Sequence, residues 1–451
     1  MASRAGHGQR RNIAPEGLPQ GRRGGYAADM APVDASPATP PSVLRNRNFL
    51  FLLSGRVLNT AAMLMQSVAI GWQVYAITGD PLYLGLVGLA EFTPMIALAL
   101  VTGAVADRYE RKRVVAIAVV LETLAAGCLL ILTLRGLTSP WPIFAIAVAF
   151  GTGRAFAMPA QQALLANIVP QAQFSQAVAW GSSAFQVAVI ASPALGGLLF
   201  IFGAGAVYAT STTLLAIAAV LALMIKPPPR EPSKQEPTSW ATLIAGFKFV
   251  KSHQVVLGAI SLDLFAVLFG GATALLPIYA KDILATGPQG LGILRSAPAV
   301  GAALVAFWLA RWPLRNNVGY IMFGAVALFG VATIVFAFST VFWLSLVALA
   351  VLGASDQISV VVRSTLVQLS TPDDMRGRVS AVNSIFIGAS NQLGEFESGV
   401  TAKLFGTVPA VVIGGIGTLL VTVLWMGWFP MLRKADTFAK ITEEANSHTK
   451  R

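Results

Sequence analysis

Gly103-Ala-Val-Ala-Asp107-Arg108-Tyr109-Glu110-Arg111-Lys112-Arg113 joins two apolar runs, 82–104 and 114–134. Each run has the ~20 residues that one crossing of a ~30 Å hydrocarbon core requires, so the charged stretch between them reads as a tight turn at a membrane face. Its Arg and Lys residues mark that face as the cytoplasmic one, since basic loops are retained inside.

Working outward, apolar runs recur along the chain near 49–77, 82–104, 114–134, 142–163, 176–200, 204–225, 255–280, 288–310, 318–338, 341–363, 379–404 and 408–430. The expected fold is all-α: a polytopic membrane protein with twelve transmembrane helices in two pseudo-symmetric six-helix bundles. The composition agrees, with 55% hydrophobic residues, 12% charged and a mean hydropathy of +0.68 over 451 residues. Soluble domains average about 25% charged residues, so an ordinary water-soluble globule is excluded. Residues 1–44, rich in Arg, Gly and Pro without an apolar core, read as a disordered cytoplasmic tail. Residues 45–225 form the first bundle, 226–254 a central cytoplasmic loop, 255–430 the second bundle and 431–451 a second cytoplasmic tail. Within the loop, Lys226-Pro-Pro-Pro-Arg230 cannot be helical. Beyond it Trp240, Leu243, Ile244, Phe247 and Val250 recur at helical spacing, the pattern of a helix lying in the headgroup plane.

The net charge of +12 is unevenly placed. Arg45, Arg47, the 108–113 cluster, Arg230, Lys234, Arg311, Arg315, Arg376, Arg378 and Arg433 share one set of loops; the opposite set holds only Arg135, Lys281 and Lys403. Both termini are therefore expected in the cytoplasm of a cell with the chain in its plasma (inner) membrane, and anionic lipid rather than nucleic acid accounts for the charge. One cysteine and three histidines, His7, His253 and His448, leave no disulfide, no thiolate cluster and no histidine relay in the membrane. No phosphate loop, nucleophile elbow or H-E-x-x-H helix occurs, so neither an enzyme nor an ATP-driven pump is expected, and no catalytic residue, metal or cofactor is assigned.

A shift of 202 positions lays Gly151 on Gly353, Pro170 on Pro372, Ala179 on Ala381 and Gly197 on Gly399. A shift of 204 lays Glu91-Phe-Thr-Pro94 on Arg295-Ser-Ala-Pro298. Chance matching of Gly-rich helices is the alternative to duplication; a central break and matched hydropathy favour two parallel halves around a midplane site.

The 103–113 stretch resembles motif A of the major facilitator superfamily, in its Gly103, Asp107, Arg108 and basic Arg111, Lys112 and Arg113. Glu110 stands where that pattern has a second glycine. The resemblance implies a conformational latch, with Asp107 at a helix N-terminus and Arg108 and Arg111 on carboxylates or lipid phosphates. Arg45-Asn-Arg47-Asn-Phe49, Gly71-Trp72-Gln-Val-Tyr75, Gly153-Arg154-Ala-Phe156 and Pro372-Asp-Asp-Met-Arg376-Gly-Arg378 are similar to the drug and siderophore efflux branch that includes enterobactin exporters. Ser192-Pro193-Ala-Leu-Gly196-Gly197 resembles the antiporter motif C, in which Pro193 bends the helix and Gly196 and Gly197 allow close packing.

Charges inside a membrane helix cost about 2.5–3.5 kcal/mol each on insertion scales, so they face protein or water. Arg56, Arg154, Asp263 and Asp356 fall in the helices that line the central cavity of the resembled family. Arg154 and Asp356 are related by the 202 shift with opposite sign, and are expected to face each other or the substrate, a structural ion pair being the alternative. Asp263, Asp356 and Glu395 are the candidates for carrying a proton; Glu91 is expected to pair with Arg295 and Glu122 to lie near the headgroups. These readings together predict a monomeric secondary transporter that exports a small amphipathic organic compound in exchange for protons. The proton gradient is its energy source, and small-molecule substrate, protons and membrane lipids are its partners. An inward permease and a transport-inactive membrane sensor are the alternatives.

Overall fold

The computed structural model describes residues 42–227 and 240–435. Most of both predicted tails and the proline-rich part of the central loop lie outside the described residues; of the tails, Val43 and Leu432 are buried in short helical turns, Val43–Arg45 and Pro430–Arg433, rather than free. Helices stand at each predicted crossing. In the first half they are α1 (Arg47–Thr78), α2 (Pro81–Ala97), α3 (Ala99–Arg108), α4 (Arg111–Leu134), α5 (Trp141–Ile168), α6 (Phe174–Leu199) and α7 (Ala204–Met224). The second half holds α8 (Trp240–Ser252), α9 (Gln254–Phe269), α10 (Gly287–Arg311), α11 (Val318–Phe338), α12 (Phe342–Leu369), α13 (Asp373–Phe405) and α14 (Thr407–Trp428).

Among the described residues, ten helical segments are long and apolar enough to cross a membrane by length and composition. The other two expected spans fall short for different reasons. The run 82–104 is divided at Leu98 into α2 and α3, four residues after Pro94, whose missing N–H weakens the turn it enters. The 33-residue α13 interrupts its apolar residues with Ser380, Asn383, Ser384, Ser390, Asn391, Gln392 and Glu395, so no stretch of it is apolar enough. A further difference lies after Phe269. There the expected single helix changes to a 3-10 turn (Gly271–Leu275), one α turn (Leu276–Ile278) and a π turn (Tyr279–Ile283), beginning at the Gly270-Gly271 pair.

Side-chain contacts sort the loops into two ends of the molecule. At the Asp80 end, Asp80 accepts Leu82 N–H through Oδ1 at 3.0 Å and Lys403 Nζ through Oδ2 at 2.7 Å. Burial raises the Asp80 carboxyl, but the Lys403 hydrogen bond, the Leu82 N–H and the Lys403 charge outweigh it and hold the group below the usual carboxylate range. Tyr75 OH donates to Asp282 Oδ2, and Lys281 Nζ lies 5.0 Å from the centre of the Tyr75 ring. At the Arg108 end, Asn46 Nδ2 donates to the Ile168 carbonyl at 2.7 Å, and Asn48 exchanges hydrogen bonds with Lys226. Also at this end, α8 packs on α13, burying Val250 and setting Gly246 against the Arg378 carbonyl while Phe247 stacks on Phe386 at 6.5 Å. The helix expected in the headgroup plane is thus clamped to α13, with Ile244 and Phe247 left exposed.

The two halves touch through two matched crossings. On α6, a Cβ at Gly197 would stand 2.6 Å from the Pro288 carbonyl oxygen and 2.9 Å from Gly292 Cα of α10. On α13, a Cβ at Gly399 would stand 3.1 Å from the Pro81 carbonyl oxygen and 3.2 Å from Gly85 Cα of α2. Glycine on glycine lets the backbones approach where the bilayer supplies no hydrophobic drive. The counterpart of Pro81 is Pro288 and that of Gly85 is Gly292, a shift of 207 rather than the 204 expected from Pro94 and Pro298. The difference, three residues, is close to one helical turn, so both registers present nearly the same face. Shifts of 207 and 202 also relate Arg56 to Asp263 and Gln161 to Arg363.

Candidate functional site

A cavity of about 380 Å³ lies against the second half, lined by α9, α10, α11, α12 and α13 together with Gln186 and Val189 of α6. Its polar members are Gln186, Thr273, Arg295, Asp356, Asn391 and Glu395; Val189, Val267, Phe329 and Leu352 supply apolar walls. That mixture of apolar lining and a few convergent polar groups suits a small organic ligand.

Glu395 and Asp356 therefore line the same cavity. Glu395 comes from α13, yet its carboxylate meets α2: a Cβ on Gly88 would collide with Glu395 Oε2 at 2.6 Å. It also lies in the electrostatic field of Arg295, Glu91 and Arg154. Arg295 of α10 donates through Nη1 to Ser67 Oγ of α1 at 2.8 Å and lies beside Gly71. Two carboxylates and two guanidinium groups from both halves are thus gathered at the seam between them.

Three expected placements are corrected. Arg154 does not reach Asp356; its Nη1 lies 3.4 Å from Glu91 Oε2, because α2 and α5 cross tightly where the Glu91 carbonyl meets Gly151. Glu91 is consequently the partner of Arg154 rather than of Arg295. Arg56 is turned toward α7 and occupies a crevice inside the first half with Val115, Gln161 and Ala222, away from the cavity, since Gly55 packs on the Ala218 carbonyl and fixes the face of α1. Asp263 forms a buried ion pair with Arg363 of α12 and shares a smaller crevice with Asp356, Phe329, Ser355 and Ser359.

Glu122 lies deep in the first half rather than near a headgroup. It is 1% exposed, accepts a hydrogen bond from Asn59 Nδ2 and packs on Gly153. Eleven residues of rise from Arg111, at 1.5 Å each, place it roughly 16 Å along α4, a depth that helix geometry alone makes available.

The motif A and motif C residues behave differently. Among the described residues, no neighbouring helix comes within 4 Å of a Cβ placed on Gly103. Arg111 Nη1 donates to the Ala163 carbonyl at 3.0 Å and to Asn167 Oδ1 at 2.6 Å, tying α4 to α5. Arg108 is exposed and Lys112 half-buried, while Arg113 pairs with Glu110 three residues earlier at 2.6 Å. The Asp107 side chain is not among those described. Pro193 sits inside a continuous α6, and its carbonyl faces Gly292. Gly196 faces the other way, with a Cβ there 2.8 Å from Met65 Cα of α1.

Residues 38–448 match the family described as transmembrane secretion effector. The chain is similar to the enterobactin exporter EntS of Citrobacter koseri, at 26% identity over 392 residues covering 86% of this chain and 92% of that one. It is 24% identical to the staphyloferrin A transporter of Staphylococcus aureus over 79% of this chain and 90% of that one. A Na(+), Li(+), K(+)/H(+) antiporter of Planococcus maritimus matches at 24% over 73% and 84%. Among solved structures, the nucleoside transporter NupG shares the fold with a TM-score of 0.67 at 17% identity, covering 85% of this chain and 99% of that one. A bacterial homologue of the iron transporter ferroportin in an inward-facing state gives 0.65 at 17%, covering 86% and 98%.

Proposed function

The chain belongs to the transmembrane secretion effector family of major facilitator transporters, and from that premise we infer that it exports a small amphipathic organic compound across the plasma membrane in exchange for protons. The basic loops at the Arg108 end support a cytoplasmic position for that end. The described contacts between halves cluster toward the Asp80 end, so the cavity is read as loading from the cytoplasm. Enterobactin and staphyloferrin A in the names of the relatives support a siderophore-like or drug-like cargo. The antiporter among them supports exchange.

The observation that carries this reading is the position of Glu395, anchored on α13 but pressed against Gly88 of α2 beside Arg295. Rocking the halves apart at the Asp80 end draws Gly88 away and brings the carboxylate into outside water. A proton taken up there neutralises Glu395, weakening its attraction to Arg295. After the halves close again the proton leaves toward the cytoplasm through the reopened cavity. One group thus exchanges protons with the two sides in alternation, which is what coupling requires.

Cells producing the protein are challenged with ethidium (cationic), chloramphenicol (neutral) and 2,3-dihydroxybenzoate (anionic), with and without an uncoupler. The expected result is that accumulation of at least one compound is lowered by the protein and that the uncoupler abolishes the difference. Accumulation of all three that is indifferent to the protein or to the uncoupler contradicts proton-coupled export.

A further inference from the structure

Charge around the cavity does not balance, and the imbalance is localised. Arg154 is matched by Glu91, Arg295 lies in the fields of Glu395 and Glu91, and Arg363 is matched by Asp263. Glu122, behind α5, accepts its hydrogen bond from Asn59. Asp356 remains: among the described residues it has neither a hydrogen-bond partner nor an ion-pair partner, and it lines both the main cavity and the adjoining crevice. A carboxylate within the membrane, unmatched by any neighbour, is costly unless something arrives to meet it.

Its surroundings show what would fit. Phe329 borders both spaces alongside Asp356, and Val267 does the same, while Leu352 and Val189 extend the apolar wall. An aromatic ring with a carboxylate nearby is a favourable setting for an organic cation, because the ring face and the anion attract the same charge. The hydroxyl of Ser355 is already committed to the Val351 carbonyl at 2.7 Å and does not satisfy Asp356. Arg295, the cation on the same cavity, is held toward α1 by Ser67.

We propose that Asp356 is the counter-charge for a substrate carrying one cationic centre on an apolar body, such as an organic amine or onium compound. This rests on the transport reading above and names its substrate class. Glu395 at the seam handles the proton, and Asp356 inside the cavity receives the cargo. The two tasks fall on different carboxylates, so they separate by mutation.

The test is equilibrium binding of radiolabelled tetraphenylphosphonium to the purified full-length protein in detergent, with tetraphenylborate as the matched anion. Saturable binding of the phosphonium that the borate does not displace is expected. Asp356→Asn is expected to weaken it by more than about tenfold, as loss of a desolvated charge partner does. Asp356→Glu should restore binding. Equal binding of both ions, no saturable phosphonium binding, or undiminished binding to a monodisperse Asp356→Asn protein would overturn the proposal. If Asp356→Asn fails to fold, the phosphonium and borate comparison and the Asp356→Glu protein decide. Uncoupler-sensitive export of the neutral or anionic compound alone would sink this inference while leaving proton exchange standing. Phosphonium binding without any uncoupler effect would do the reverse.

Discussion

Glu395→Gln is expected to stop uphill export while leaving the transporter folded and able to equilibrate its cargo downhill. Glutamine keeps the length and hydrogen-bonding capacity of the side chain against Gly88, but it cannot release or take up a proton. The seam is then held in the neutral condition on both sides of the membrane. Arg295 retains its bond to Ser67 and the field of Glu91, so the fold does not depend on the lost charge. In inverted vesicles the gradient-driven flux should fall at least about tenfold, the lower range of a coupling energy of ~1–3 kcal/mol. Counterflow of labelled against unlabelled cargo should persist. Gradient-driven flux at the wild-type rate would move the proton to another carboxylate.

Two adjacent glycines on α6 should give opposite phenotypes. Gly197 faces α10 across the seam, whereas Gly196 faces α1 within its own half. Gly197→Leu inserts a side chain where the Pro288 carbonyl oxygen would already lie 2.6 Å from a Cβ. Closure at the Asp80 end then costs about 1–3 kcal/mol of overpacking, which the outward-open arrangement avoids. That is a shift of roughly 5–150-fold in the balance between the two arrangements. Gly196→Ala meets the Met65 backbone in either arrangement and should lower stability without moving that balance. The check is reaction of Val189→Cys, in a Cys128→Ser background, with a membrane-impermeant maleimide added outside. Labelling should rise with Gly197→Leu and stay at the background level with Gly196→Ala, whose thermal midpoint should fall instead. Equal labelling of the two would remove the distinction between seam and bundle packing.

The helices were legible in the sequence because bilayer thickness sets their length, and the apolar runs fall within a few residues of the observed ends. Breaks inside them left weaker traces: Pro94 ahead of Leu98 and the pair Gly270-Gly271 were visible but look like ordinary helical Pro and Gly. Register between the halves is poorly marked in the sequence because a three-residue slip nearly preserves a helix face. The meeting of Gly85 with Gly399 and of Gly292 with Gly197 separates 207 from 204, as does that of Gly151 with the Glu91 carbonyl and of Gly353 with the Pro298 carbonyl. The ion pairs were the least legible part. Arg154 finds Glu91 through a close crossing at Gly151, three residues earlier on α5, and nothing in sequence spacing specifies which helix lies there. Asp356 and Glu395 were recognisable from the rarity of carboxylates in membrane helices, but not the fact that both line one cavity and that Glu395 also reaches α2 across the seam.

Pulsed electron paramagnetic resonance on two spin-label pairs tests the rocking of the halves most directly. One pair, Phe202→Cys with Phe405→Cys, spans the Asp80 end; the other, Tyr109→Cys with Trp312→Cys, spans the Arg108 end; all four side chains are exposed. With Cys128 replaced by Ser, the account predicts two populations in which one distance lengthens as the other shortens, their proportions changing with pH. Distances that stay single at both ends, or that lengthen together, would contradict it.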